Sequence, residues 1–326
     1  MKAIVISAPG GPEVLTLTEL PDPVPADGEV LIRVKAFGLN HAEVYMRSGA
    51  WGEVAAVPGI ECAGVVEADP SGRLPSGTRV VAILGGMGRT RNGSYAELVT
   101  VPATNVVAVH SSLGWADLAA VPEVYATAWC GLFDNLDLRP GETIVVRGAT
   151  SSLGQAAVNL AVDHGVAVLA TTRNPAHVPL LKQLGAGDVL IDDGALAAQV
   201  RERGIAVDAV FDVVGNKVLR DSLAMVRPRG RVCQLGFLGG FEPVQDFDPI
   251  RDLPSGVRFS FFGSAFVLGT PAFPLTDVPL DQICHKINAG VLRARPTRVF
   301  RFEEIVEAHR VMEAGEALGK MVVVLD

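Results

Sequence analysis

The stretch Val145-Val146-Arg147-Gly148-Ala149-Thr150-Ser151-Ser152-Leu153-Gly154 decides the fold. Residues 143–147 read as a short, largely apolar strand. Leu153, Ala156, Ala157, Leu160 and Ala161 then recur at the spacing of a helix that lays one face on a sheet. A tight strand-to-helix turn presents backbone N–H groups and the positive end of the helix dipole, an arrangement that holds a pyrophosphate. Set against G-x-G-x-x-G, the stretch reads Ala149-x-Ser151-x-x-Gly154 and keeps only the third glycine, which lets helix and strand pack closely. Ala149 can make the turn if its φ stays negative. Ser151 is bulkier than glycine, but its hydroxyl can donate a hydrogen bond. An ordinary strand–helix turn would read the same way in isolation, so the weight falls on what surrounds it. Ser151, Ser152 and Leu153 are the candidate cofactor residues of the turn.

The surroundings favour the nucleotide. Residues 166–170, 188–191, 207–213, 231–235 and 257–262 supply further strands, with helical stretches at 178–184, 196–203 and 217–226 between several of them. Short apolar strands alternating with helices predict a parallel, doubly wound sheet, an α/β fold. NAD-binding units usually end the second strand on an acidic residue. Here it ends at Thr172 followed by Arg173, with a guanidinium available to pair with a 2′-phosphate and no carboxylate to repel one. The predicted cofactor is NADPH, with Thr172, Arg173 and, more weakly, His177 at its phosphate. The plainer reading leaves Arg173 in solvent. Asp192, at the end of the next strand, would oppose the phosphate if it pointed inward.

On either side of this α/β region the pattern changes. Strands are expected at 3–7, 15–20, 29–36, 62–68, 79–84, 95–101 and 105–109, separated by Gly/Pro turns, which suggests a barrel or sandwich. After Ser264 come irregular segments, a helix at 303–314 and a last strand at 321–325. The expected layout is one β-rich domain made of 1–122 and 265–326, interrupted by an α/β domain at 123–264. The chain has 326 residues, 49 % of them hydrophobic and 20 % charged, so it can bury a sizeable core. The net charge of −8 gives no reason to expect nucleic acid or an anionic membrane as a partner. Cysteines at 62, 130, 233 and 284 form no CxxC pair, which argues against a disulfide framework and a cysteine-clustered zinc site. No apolar run is long enough for a membrane span or a signal-peptide core, and a cytoplasmic location is expected.

Several segments carry a family resemblance in family order. They are Gly38-Leu39-Asn40-His41-Ala42-Glu43-Val44-Tyr45-Met46-Arg47-Ser48-Gly49, Pro58-Gly59-Ile60-Glu61-Cys62-Ala63-Gly64 and Gly93-Ser94-Tyr95-Ala96-Glu97. Thr127-Ala128-Trp129, the loop at 148–154, Val207-Asp208-Ala209-Val210-Phe211-Asp212 and Gly319-Lys320-Met321-Val322 complete the set. The whole chain resembles the zinc-independent medium-chain dehydrogenase/reductases, in their NADPH:quinone oxidoreductase (zeta-crystallin-like) branch. The resemblance implies a GroES-like catalytic domain, a Rossmann domain and a cleft between them. It also implies a homodimer formed through the last Rossmann strand, near 258–262. Zinc-dependent relatives place Cys where Asn40 stands and His where Ile60 stands, so the resemblance implies no metal; Glu61 alone cannot build a site. Serines at 151 and 152, where quinone reductases more often have glycine, leave the acceptor open.

By the same resemblance, Asn40 and Tyr45 line the acceptor site. Asn40 would donate from its amide to the substrate oxygen as negative charge develops there, and Tyr45 would donate a hydrogen bond or the proton. Thr127 would orient the carboxamide of the nicotinamide, and Gly236, Phe237 and Leu238 would pass near it. Each has a plainer reading: Tyr45 as a packing aromatic, Asn40 as a turn residue after a strand. Arg47 reads either as a holder of an anionic group or as a plain salt bridge, and Cys62 reads as core. The expected activity is hydride transfer from NADPH to a quinone or an α,β-unsaturated carbonyl. An enoyl-thioester reductase, with Arg47, Arg89 and Arg91 as a basic path, and a non-catalytic NADPH-binding or redox-sensing protein are the alternatives.

Overall fold

The computed structural model describes residues 1–325. Its strands are β1 (Lys2–Ile6), β2 (Leu15–Glu19), β3 (Glu29–Gly38), β4 (Glu61–Ala68), β5 (Arg79–Ile83), β6 (Leu98–Pro102), β7 (Val106–Ala108) and β8 (Thr143–Arg147). They continue with β9 (Ala167–Thr172), β10 (Asp188–Ile191), β11 (Val207–Asp212), β12 (Val226–Gln234), β13 (Arg258–Phe261), β14 (Arg298–Arg301) and β15 (Met321–Val324). The chain forms two compact units, Met1–Ala126 with Ala265–Asp326, and Thr127–Ser264. The first junction lies at Ala126, inside the helix Pro122–Trp129, where the sequence reading set it at 122.

In Thr127–Ser264, six strands lie in the order β10-β9-β8-β11-β12-β13, and every pairing is parallel. Numbered from β8, this is the 3-2-1-4-5-6 order of a Rossmann sheet, and the order reverses between β8 and β11. Ligands of such sheets bind at the carboxyl ends of the strands beside that reversal. The strands are apolar on both faces because helices cover both: Ile144, Val145, Val146, Ala209, Val210 and Phe211 are all fully buried. The expected helix at 217–226 is the shorter Leu219–Met225, since Val226 already pairs with Val207 and starts β12.

The other unit is built on a seven-stranded sheet in which β14-β15-β3-β4-β5-β7 are neighbours and β6 pairs with the remaining part of β3. The hairpin β1-β2 packs beside it, and its core gathers Ile4, Val30, Ile32, Phe37, Val80, Tyr95, Val99 and Val323. The strand expected at 95–101 starts only at Leu98; before it, Tyr95 accepts from the Ile4 N–H (2.8 Å) and Ala96 forms a single bridge to Ala3. The late segment joins the sheet through β15, where Val322 stands opposite Gly38 and Val324 opposite Ala36. Several elements have no counterpart in the sequence reading, among them β14 and the helices His41–Ser48, Trp115–Ala119, Pro122–Trp129 and Leu280–Asn288. No helix among the described residues is long and apolar enough to cross a membrane.

Candidate functional site

The candidate residues fall into one group in each unit. In Thr127–Ser264, β8 ends at Arg147 and the chain turns at Gly148, whose φ of +80° suits glycine. The positive φ therefore falls one residue before Ala149, which the sequence comparison had aligned with the first glycine. Ser151 caps the helix Ser152–Asp163: its hydroxyl accepts from the Gly154 N–H (3.0 Å) and donates to the Gly148 carbonyl (2.8 Å). That hydroxyl is spent on the turn and is not the ligand donor expected of it. The N–H groups of Ser152 and Leu153, the first two of the helix, have no partner among the described residues, as helix N-termini leave them. Gly154 fits because a Cβ there would stand 2.3 Å from the Gly148 oxygen.

At the end of β9, Thr172 is buried and its hydroxyl exchanges hydrogen bonds with the backbone of Asn174 (3.1 and 3.2 Å). This turn leaves Arg173 exposed, with no ion pair or hydrogen bond to any described residue. His177 is half-buried, with Asn174 Nδ2 at 3.5 Å from its Nε2. Asp192 does not point a free charge at this corner. Arg147, itself fully buried, holds it with two hydrogen bonds of 2.8 Å, from Nε and Nη2. Arg147 Nη1 donates to Asp221 (2.8 Å) and to the Ser222 hydroxyl (3.1 Å). A third carboxylate, Asp212 at the end of β11, accepts from Ser222 (2.6 Å) and from the N–H groups of Val214 and Gly215 (2.8 Å each); burial pushes its carboxyl above the ordinary range.

The loops after β11 and β12 touch. A Cβ on Gly215 would lie 2.3 Å from the Gly236 oxygen, and one on Gly236 would lie 2.7 Å from the Val213 oxygen. Leu238 is hydrogen-bonded to Val213 through its N–H (3.2 Å), and its side chain reaches Gly148. The Phe237 ring stands against Phe241 (5.1 Å) and Phe261 (5.7 Å). Thr127 is buried in the helix Pro122–Trp129.

In the other unit, Asn40 is the N-cap of the helix His41–Ser48, and its N–H donates to Glu43 three residues on (2.7 Å). Pairing of β15 with β3 brings Lys320 here. Its ammonium donates to Asn40 Oδ1 (2.6 Å) and is ion-paired with Glu61. With its oxygen claimed by an ammonium, Asn40 must present Nδ2 to Glu61 (3.0 Å) and Glu43 (3.4 Å). Its amide is thus committed to two carboxylates, and the role expected of it as a donor to substrate gives way to holding the start of this helix. Glu61 also accepts the Glu123 N–H (2.8 Å), and Gly38 leaves room for the pair, since a Cβ there would stand 2.4 Å from Glu61 Oε1. Glu43 is fully buried, accepts the Ile60 N–H (3.1 Å), and is pushed up to about 7 by that burial. The sequence reading gave Lys320 and Glu43 no role. The Asn40-x-x-Glu43 spacing is a capping-box signal that could have found Glu43; nothing local points to Lys320.

Tyr45, one turn along the same helix, is half-buried against Trp51 (ring centroids 6.3 Å). Burial raises its phenol, which keeps its proton at neutral pH. Arg47 is fully buried and held by Glu313 and the Gly10 carbonyl, so it serves structure. Cys62 is fully buried in β4, and burial raises its thiol well above the ordinary range, as a core residue requires.

Comparison with known proteins adds to this geometry. Residues 26–111 match the alcohol dehydrogenase GroES-like domain, and residues 184–323 match the family described as zinc-binding dehydrogenase. The residues present do not fit zinc. Asn40 and Ile60 are not zinc-ligand types, and Glu61 already carries the Lys320 ammonium. Quinone oxidoreductase of Homo sapiens is 29 % identical over 343 residues, covering 100 % of this chain and 98 % of its own. A mycobacterial protein solved in complex with NADPH superposes with a TM-score of 0.86 at 28 % identity, over 99 % of each chain. The quinone oxidoreductase of Pseudomonas syringae pv. Tomato DC3000 superposes with a TM-score of 0.87 at 26 % identity, again over 99 % of each.

Proposed function

We propose, for a chain that belongs to the zinc-independent medium-chain dehydrogenase/reductases of the quinone-oxidoreductase type, that it reduces quinones or α,β-unsaturated carbonyls with NADPH. The observation that carries the cofactor choice is the charge at the carboxyl end of β9. Arg173 is exposed and unpaired, while Asp192, the nearest expected opponent of a phosphate, is closed off by Arg147. The unpartnered N–H groups of Ser152 and Leu153 suit a pyrophosphate, and Arg173 suits a 2′-phosphate. Thr172 and the Asn174 turn hold Arg173 outward, His177 stands beside them, and Gly236 and Leu238 shape the floor next to Gly148. Thr127 is assigned to the carboxamide.

When bound, NADPH supplies the hydride. Negative charge that develops on the acceptor oxygen needs a hydrogen-bond donor aimed at it. Tyr45 is that donor in this reading, kept protonated by burial. Asn40, through its cap and its bonds to Lys320 and Glu61, positions the helix that carries Tyr45. An enoyl-thioester reductase is less well supported, because two members of its basic path are already paired: Arg47 with Glu313 and Arg91 with Glu29. We further assign a homodimer joined at β13, the open edge of its sheet, where Phe259 and Phe261 are 39 % and 49 % exposed. A cytoplasmic setting suits the four free thiols.

The test is the rate of NADPH and NADH oxidation against a panel of quinones and enones, with mass in solution read by light scattering. Turnover with NADPH preferred is expected. Arg173→Ala should weaken NADPH binding about tenfold and leave NADH binding unchanged, the size of one charge-assisted contact. Tight NADPH binding with no turnover on any acceptor would sink the reading, and an unimpaired Tyr45→Phe variant would remove Tyr45 as donor. A monomeric mass would break the β13 assignment.

A further inference from the structure

The loop after β5 carries a cation that no carboxylate among the described residues neutralises. Leu84, Gly85, Gly86 and Gly88 all have positive φ (59°, 61°, 89° and 71°), and the Gly86 carbonyl accepts from the N–H groups of Arg89 (3.0 Å), Thr90 (3.0 Å) and Arg91 (3.2 Å). Arg91 is tied to Glu29, and Gly88 accepts from the Ala55 N–H (3.2 Å), so both flanks of Arg89 are anchored. The loop is stiff where it presents Arg89.

The Arg89 guanidinium lies 5.8 Å from the Trp51 ring centre and 5.0 Å from that of Phe266. Its Nη1 donates to the Ala265 carbonyl (2.8 Å), which fixes the plane of the group. The opposite edge, Nε and Nη2, has no partner among the described residues, and no carboxylate pairs with it. Arg47, Arg91 and Arg147 each end on a carboxylate; Arg89, half-buried between aromatic faces, does not. Trp51 stacks in turn on Tyr45, the donor assigned above to the acceptor oxygen. Tyr45, Trp51 and Arg89 thus form one row on this unit: a donor, an aromatic face and an open two-toothed cationic edge.

We propose that Arg89 recognises an anionic substituent on the acceptor, so that the preferred substrates are planar conjugated carbonyl compounds bearing an acidic group. The inference rests on the reading of Tyr45 and its surroundings as the acceptor site. Trp51 offers a face to the planar ring system, and the Nε–Nη2 edge matches a carboxylate or sulfonate, two oxygens to two N–H groups. Aromatic walls on either side of the guanidinium reduce its exposure to water and strengthen that pairing.

The experiment compares a neutral naphthoquinone with its sulfonated counterpart as NADPH oxidants, in the parent protein, Arg89→Gln and Arg89→Lys. The parent should favour the sulfonated quinone in kcat/KM, and the preference should shrink as salt is raised. Arg89→Gln should lower the sulfonated-to-neutral ratio about tenfold or more, the loss of a charge-assisted pair, with the change in KM. Arg89→Lys, which keeps the charge and loses the fork, should fall between. An unchanged ratio in Arg89→Gln, or equal losses on both quinones, overturns the proposal while leaving the reductase reading intact. If the parent protein oxidises NADPH with neither quinone, the reductase reading fails and takes this inference with it.

Discussion

Arg147 and Lys320 each bring one positive charge into a buried group of carboxylates, and the two groups are finished differently. Arg147 engages Asp192 through two nitrogens and Asp221 and Ser222 through the third, so its planar fork fixes where the strand ends of the Rossmann sheet sit. Asp221 in turn caps the helix Leu196–Glu202 by accepting from Leu196 and Ala197 (3.1 Å each). Lys320 is a point charge that pairs with Glu61 and Asn40 and leaves Glu43 without an ion pair of its own. The first arrangement is a fixed frame. The second keeps a carboxyl that changes charge near neutral pH, in the first turn of the helix that bears Tyr45.

Replacing both cations by methionine, similar in length and without charge, tests this contrast. Arg147→Met should lose about 3–5 kcal/mol in chemical denaturation, because it strips Asp192 and Asp221 of their partner and leaves the buried Asp212 without its neighbouring cation. Lys320→Met should lose less, about 2–3 kcal/mol at pH 8, and less again at about pH 5.5, where Glu43 takes up its proton and only one charge is left without the ammonium. Equal losses at both pH values in both variants would erase the distinction.

The smallest effect is a slope. Glu43 is raised from 4.5 to about 7, so the folded protein binds its proton more tightly than the unfolded chain, and stability falls as pH rises from 4.5 to 7. His309, hydrogen-bonded to Tyr95 (3.1 Å), is pushed down to about 3 by burial and by the nearby Arg47 charge. It acts in the opposite sense, removing stability as pH falls below 6.5. In the parent protein the two slopes oppose each other between pH 4.5 and 6.5. Glu43→Gln should uncover the His309 slope, with stability climbing by about 2 kcal/mol across that window. Superimposable profiles for parent and variant would show that Glu43 does not titrate there.

Sequence periodicity was enough for most of the Rossmann unit, because its strands are buried on both faces and its helices carry a clear apolar stripe. The same signal was present and overlooked in the helix Leu280–Asn288, where Leu280, Ile283, Cys284 and Ile287 are the buried residues. β14 was not legible: its four residues include two arginines, and three of the four are exposed, as suits an edge. At the site, the close packing at Gly154 was legible from the motif. The destination of Asp192 was not, because it depends on Arg147 turning beneath the sheet. Nor was the commitment of the Asn40 amide, which depends on a lysine that only strand pairing brings close.

The pairing of β15 with β3 joins Lys320 to Asn40 across 280 positions of chain. During synthesis from the N-terminus, Thr127–Ser264 is complete before β15 has been made. A nascent chain halted short of residue 320 can therefore form its Rossmann sheet while Asn40, Glu43 and Glu61 still wait for their cation. In that order of synthesis the Rossmann sheet can stand complete while the group around Asn40 is still unfinished.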